Sequence, residues 1–449
     1  MEVIILDQVL EQLRAALERD DIPRAVSIVT ELRPPDQAEV VSELEDSDQI
    51  ALLTRLHPAD SADILEKMGD EEAAGLVATL PTDTVIRIVD QMEPDEAADL
   101  LGDMSPEQAT AVLEGLEDPE EVRPLLLHAD DTVGGLMTSD FLALRPRMTA
   151  AEAMAAIRGW KPETETIYYL FVVDRFGKLV GVVNLRQLIV AEPTTLIEHI
   201  MDPEVIHVHA GVDQEECARL MARYDLLALP VVDQDDVLLG VVTIDDVVDV
   251  LEDEATEDIQ RFGGAEPLEG AYLETPVLAV SRKRIGWLLL LFLTETLTGS
   301  VLRFFQTELE SVVALSFFVP LLIGTGGNAG SQTTSTIIRA LAVGDIDLKD
   351  AARALWHESR TGLLLGLGMS VVAYVRALTW GSAQSLAVTV ALAILGIVLW
   401  ANVLGSVLPL IAVRLRIDPT VVSGPVMSTL VDATGLFIYF TLARMIIGL

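Results

Sequence analysis

Residues 224–260 read YDLLALPVVDQDDVLLGVVTIDDVVDVLEDEATEDIQ. An apolar run ending in VVD, a polar turn at Gln234–Asp236 and a second apolar run, GVV, predict two strands joined by a hairpin. A helix follows. On it Asp246, Asp249, Asp253 and Glu257 fall at spacings of three and four, so they form one acidic stripe. Like charges at that spacing cost a few tenths of a kcal/mol per pair, which a bound divalent cation relieves. The competing reading is a solvated helix face, but this stripe leads directly toward an apolar half.

The same order occurs upstream. GLMTSDFLAL (135–144) and YYLFVVDRFGKLVGVVNLRQLI (168–189) parallel HIMDPEVIHV (199–208) and the stretch above, with the first copy's turn at Arg175–Lys178. Further toward the N-terminus, residues 57–117 repeat with a step of twelve. Pro58, Asp70, Thr82, Pro94 and Pro106 share one phase; Leu65, Val77, Val89, Leu101 and Leu113 share a second; Met68, Leu80, Met92, Met104 and Leu116 share a third. Twelve residues turn a continuous helix by about 120°, so one helix could not keep these columns on one face. The chain must break each repeat into helices of about two turns, stacked as a superhelix. Ser105-Pro106-Glu107-Gln108 reads as a capped helix start.

Charge divides the chain in two. Of 449 residues, 1–270 hold 60 of the 70 acidic and 18 of the 30 basic side chains, and the remainder is nearly neutral. Such a surplus repels phosphates, which argues against nucleic acid as a partner and favours cations. A solubility role for the acidic surface competes with that reading. The lone Cys217 excludes an internal disulfide and suits a reducing cytosol. The start MEVIILDQVL lacks a basic region and a cleavage site, so no secretory signal is expected.

From Ile285 onward, apolar stretches of membrane length recur at roughly 285–303, 312–338, 360–378, 386–412 and 420–446. With the first span entering from the cytosol, Arg282, Lys283, Arg284, Arg339, Lys349, Arg353, Arg360, Arg414 and Arg416 fall inside. Only Arg303, Arg376 and Arg444 fall outside. The acidic half is therefore expected in the cytosol and the C-terminus outside.

Exceptions inside the spans point at function. Asp432 sits in VSGPVMSTLVDATG with Ser428, Thr429 and Thr434 nearby and Gly424, Pro425 and Gly435 as helix looseners. A carboxylate there needs water, a cation, or a proton shared with a neighbouring helix. GTGGNAGSQ (324–332) puts four glycines with Asn328 and Gln332 in the second span, suiting a pore lining or close helix packing. Asn402 is a weaker candidate of the same kind, and Glu295 fits either a pore or a subunit surface. One carboxylate per chain is thin for a divalent ion, and a symmetric dimer would double it. Magnesium binds oxygen octahedrally and keeps most of its waters, which such a pore allows. Zinc or copper would want His or Cys, and His357, read here as a loop residue, is the membrane half's one histidine.

The repeat at 131–255 resembles a tandem pair of CBS domains, a module that often binds adenine nucleotides and so allows ATP as a ligand. That module's pattern of a hydroxyl after the GVV strand and an Asp three residues on is met by Thr243 and Asp246, whereas the first copy has Asn184 and Gln187. With GTGGNAGSQ, LVDATG and the opening stretch, the whole chain resembles the MgtE family of magnesium transporters. The resemblance implies a homodimer with its pore on the two-fold axis and a Mg²⁺ site at Asp432. It also implies cytosolic Mg²⁺ sites at Asp95, Asp99, Asp213, Glu215, Asp225, Asp246, Asp249, Glu254, Glu257 and Asp258. Gly424 departs from the family, where a polar residue such as Asn is expected.

The fold expected is multidomain: an α-superhelical domain (1–130), CBS α+β copies (131–201 and 202–255), an acidic connecting helix and linker (256–281) and an all-α membrane domain of five helices (282–449). The function expected is Mg²⁺ uptake across the plasma membrane, gated by cytosolic Mg²⁺. Two alternatives are a transporter of another divalent ion, such as Co²⁺ or Mn²⁺, and a membrane-anchored nucleotide sensor. No Cys–His pair, nucleophile elbow or P-loop argues for an enzyme.

Overall fold

The computed structural model describes residues 2–160, 169–268, 272 and 275–448, so part of the 256–281 linker lies outside the described residues. Two compact units divide it, Met1–Glu252 and Asp253–Leu449.

In the first unit, Glu2–Leu17 precedes helices that begin at Ile22, Pro34, Asp46, Pro58, Asp70, Thr82, Pro94 and Pro106. Every start is twelve residues after the one before, and each helix packs against the next but one. The superhelix thus extends well upstream of residue 57. Its apolar columns continue through Val29, Val41 and Leu53, all buried. Pro or Asp at the first turn ends one helix and starts the next. The expected Ser105 cap is absent, because that hydroxyl donates to Gln108 Oε1 at 2.8 Å instead of accepting from the backbone.

The CBS-like pair contains two sheets of identical plan. β1 (Ala143–Leu144) runs parallel to β2 (Tyr169–Val173), which pairs antiparallel with β3 (Leu179–Asn184). β4 (Val208–His209), β5 (Ala228–Val232) and β6 (Leu238–Thr243) repeat this arrangement, each with one bulge in its antiparallel ladder. The VVD aspartates close the hairpins. Asp174 Oδ1 accepts from the Phe176 and Lys178 amides, and Asp233 Oδ1 accepts from those of Asp235 and Val237.

The copies are interlocked rather than consecutive. A Cβ on Gly240 would lie 2.7 Å from Thr138 O, and one on Gly181 would lie 2.6 Å from the Met201 sulfur. Each leading Met segment therefore packs on the other element's GVV strand, Thr138 beside Val241 and Asp202 beside Val182. Beyond β6 a single helix runs Ile244–Phe262, so the division read after residue 255 falls inside one helix.

Among the described residues the second unit has five helices long and apolar enough to cross a membrane: Val277–Phe304, Val313–Ala342, Leu348–Thr379, Gln384–Arg414 and Gly424–Ile447. The fourth is the most apolar and the most buried, and it packs against the second, third and fifth. Several helices outrun their apolar windows. The first starts at Val277, and the third includes His357, which is helical and exposed rather than in a loop. The fifth starts at Gly424, later than residue 420, because Pro419–Val421 forms a 3-10 turn capped by Asp418. Gly424 and Pro425 consequently begin that helix instead of loosening it.

Candidate functional site

Asp432 lies on the fifth span, eight residues beyond its start at Gly424. It is partly exposed and carries no hydrogen bond or ion pair among the described residues. The glycine stretch is continuous α-helix and divides by face. A Cβ on Gly326 would lie 2.7 Å from Val431 and 2.6 Å from Ile397, one on Gly330 2.8 Å from Met427, and one on Gly327 3.1 Å from Ser428 Oγ. These three seat the second span against the fourth and fifth. Gly324 meets nothing, and Asn328 is exposed, level with the Ser428–Asp432 turn. Close packing thus takes most of the glycines and leaves Asn328 exposed.

Asn402 is different. It is 1 % exposed, donates to Val398 O at 2.8 Å and accepts from Thr333 Oγ1 at 2.9 Å. Thr333 also reaches Glu358 Oε2 at 3.3 Å. A polar group so fully satisfied ties helices together; it does not meet ions.

In the first unit, acids crowd where the Pro94–Asp103 helix faces the start of Ile244–Phe262. Asp95 is 5 % exposed and its Oδ1 has no partner. Burial, and then Asp95 and the other acids around them, push Glu93 up to about 7, Glu96 to about 9 and Asp246 to about 8. Burial together with Asp130, Asp95 and Asp70 raises Asp99 to about 7. Burial also raises Asp95 and Glu66, whose Oε1 accepts from the Glu93 amide at 3.0 Å. Lys67 answers them: burial opposes its charge, but Glu96, Asp249, Glu66 and Asp245 outweigh it and hold the ammonium charged. Asp95, Asp99, Asp246 and Asp249 were legible in sequence. Glu66, Glu93, Glu96, Asp245 and Lys67 were not, although the twelve-residue frame could have placed Glu93 beside the Pro94 helix start.

The remaining candidates are dispersed. Asp213 caps the Gln214–Tyr224 helix by accepting from the Glu215 amide at 2.9 Å, and Glu215 pairs with Arg219 at 2.6 Å. Asp225 ends that helix in a left-handed conformation. Glu254 and Asp258 both have partners. Among the described residues no three His, Cys, Asp or Glu side chains form a ready metal cage. Unbridged carboxylates repel, and an ion that keeps its waters needs no such cage.

Family models match three parts of the chain: the MgtE intracellular N domain at 32–131, CBS domains at 133–193 and 197–253, and a divalent cation transporter domain at 319–442. The magnesium transporter MgtE of Thermus thermophilus is 46% identical over 338 residues, 75% of each chain. The chain belongs to the MgtE family of magnesium transporters. MgtE of Enterococcus faecalis is 37% identical over 73% of this chain and 72% of its own. Two solved structures also resemble it: the soluble part of a magnesium transporter, at 34% identity and TM-score 0.51, covering 56% of this chain and 99% of that one; and the cytosolic domain of the Mg²⁺ channel MgtE in complex with ATP, at 38% and 0.51, covering 54% and 99%.

In this MgtE chain Thr243 and Asp246 are closed on one another, the buried hydroxyl donating to Asp246 Oδ2 at 2.5 Å. Asn184 and Gln187 make the matching capping box in the other copy. The residues of the nucleotide pattern therefore cap helices. An open cleft of about 330 Å³ lies at the first copy's pattern residue, lined by Tyr169, Asn184, Arg186, Ile189 and Leu227. At the membrane end of the helix Ile244–Phe262, Arg261 pairs with Glu257 and reaches Asp418 Oδ2 at 2.6 Å. Asp418, in the turn before the fifth span, was missed because an acid in a short loop gives no pattern.

Proposed function

We propose that two copies of this chain form a Mg²⁺ channel of the plasma (inner) membrane, closed by Mg²⁺ in the cytosol. The N-terminal half faces the cytosol and the C-terminus faces outside, as the basic residues flanking the spans favour. Asp432 carries this reading: a carboxylate within the fifth span, bonded to nothing described, in a family of magnesium transporters. Two copies on a two-fold axis, with Asn328 beside them, present charge and neutral oxygen to an ion that keeps its waters.

Control falls to the acidic faces. Asp95, Asp99, Asp246 and Asp249 bind Mg²⁺ where crowding makes a cation most welcome, and the orphaned Asp95 oxygen supports that placement. Asp213, Glu215, Asp225, Glu254, Glu257 and Asp258 complete a set of weak sites. ATP, bound by the similar channel domain, fits the cleft at Tyr169 and Arg186, where a ring for stacking and a guanidinium for phosphate stand together.

Mg²⁺ uptake into proteoliposomes, with and without Mg²⁺ on the cytosolic side, tests the whole reading. Uptake should be fast without cytosolic Mg²⁺ and fall as it rises; uptake indifferent to it removes the sensor. Competition by Mn²⁺, Co²⁺ and Ca²⁺ in the same assay decides between Mg²⁺ and another divalent ion.

A further inference from the structure

A second acid stands at the depth of Asp432. Glu295 lies on the first span, Val277–Phe304, is exposed, and has no hydrogen bond or ion pair among the described residues. A bare carboxylate among lipid tails is costly and is kept only where water, a cation or a partner meets it. Elsewhere in these helices the polar groups of Thr333, Asn402 and Glu358 satisfy one another. Glu295 has no such arrangement.

Three observations set it against Asp432. The first and fifth spans pack together and cross in the same sense, since three spans intervene. Leu297 and Ser300 share a groove with Ala433 and Thr434, so Glu295, two residues before Leu297, and Asp432, one before Ala433, lie at similar depth. Finally, Leu291, Thr298 and Leu302, at spacings of four, three and seven from Glu295, are at least partly buried, which places it at the margin of the packed face. Thr298, one turn along that side, is 6 % exposed and its hydroxyl oxygen has no partner.

We infer that Glu295 is a second carboxylate of the ion path and that, with Asp432, it sets the preference for divalent over monovalent cations. The inference rests on the reading of Asp432 as part of the path. With one acid per chain, a dimer offers two charges, which a single Mg²⁺ neutralises. With Glu295 it offers four, which a monovalent ion compensates poorly and a hydrated divalent ion compensates well. Waters retained by Mg²⁺ span the gap to both carboxylates, so neither must move into direct coordination.

The test is Mg²⁺ and Na⁺ flux in proteoliposomes for Glu295→Gln, Glu295→Asp and Asp432→Asn, each checked as a monodisperse folded protein. Glu295→Gln should raise half-saturating Mg²⁺ about tenfold, or about 1.4 kcal/mol, and relax the block of Na⁺ flux by Mg²⁺. Glu295→Asp should stay close to wild type in both. Wild-type saturation and selectivity in Glu295→Gln, with Asp432→Asn inactive, overturns the role of Glu295 alone. Undiminished flux in Asp432→Asn overturns the ion path itself. Should both Glu295 variants fail to fold, its role is structural and the inference is wrong.

Discussion

Acids are buried in two different ways in this molecule. Around Asp95 they are crowded, with Glu66, Glu93, Glu96 and Asp246 raised by burial and by one another, and Lys67 held charged among them. In the fifth span Asp432 is only partly buried and unbonded among the described residues, while Gly326, Gly327 and Gly330 seat the second span against the fourth and fifth. Crowding makes a region whose packing depends on how many cations or protons it holds. Isolation lets an ion bind and leave, since a conducting site must not trap what it passes.

That contrast breaks first at Asp432. Asp432→Asn keeps the volume and removes the charge, so Mg²⁺ flux should be nearly abolished while the protein stays folded; wild-type flux would erase the distinction. Next, replacing Asp95, Asp246 and Asp249 by Asn should leave flux without cytosolic Mg²⁺ intact. It should raise the Mg²⁺ midpoint for protecting the helix Ile244–Phe262 from protease at least about fivefold, the low end of ordinary coupling. An unchanged midpoint would make this cluster an inert face. Gly326→Val should cost about 1–3 kcal/mol of membrane-domain stability by overpacking against Ile397 and Val431, whereas Gly324→Ala should be neutral in a melting assay.

Protons sharpen the comparison further. Glu93, Glu96, Asp99 and Asp246 have values of about 7, 9, 7 and 8 in the packed state, above their ordinary 4.5 and 3.8. The packed state therefore binds more protons than the separated one. Its stability is fully present below about pH 4 and is lost as pH rises through 7 to 9. Without Mg²⁺, hydrogen exchange at the Pro94–Asp103 helix, corrected for the intrinsic rate, should be better protected at pH 6 than at pH 9. Near pH 7, Mg²⁺ binding should release protons, measurable by calorimetry in two buffers. The smallest effect is expected from Lys67→Gln, which removes the internal cation and should raise the Mg²⁺ requirement by about 1 kcal/mol or less.

Periodicity and composition determined the architecture. A twelve-residue step can only be short stacked helices, a duplicated VVD–turn–GVV pattern can only be paired hairpins, and five apolar stretches of that length can only be spans. These are local rules, written in neighbouring residues, and Asp432 was legible because charge in an apolar run violates one of them. Only tertiary structure decided what meets what. It exchanged the Met segments between the two CBS copies, closed Thr243 onto Asp246, and gave Gly326, Gly327 and Gly330 to helix packing. It also gathered Glu66, Lys67, Glu96 and Asp245 around Asp95, from segments up to about 180 residues apart along the chain. A carboxylate's burial and neighbours depend on how distant segments pack, and no pattern within one segment encodes that.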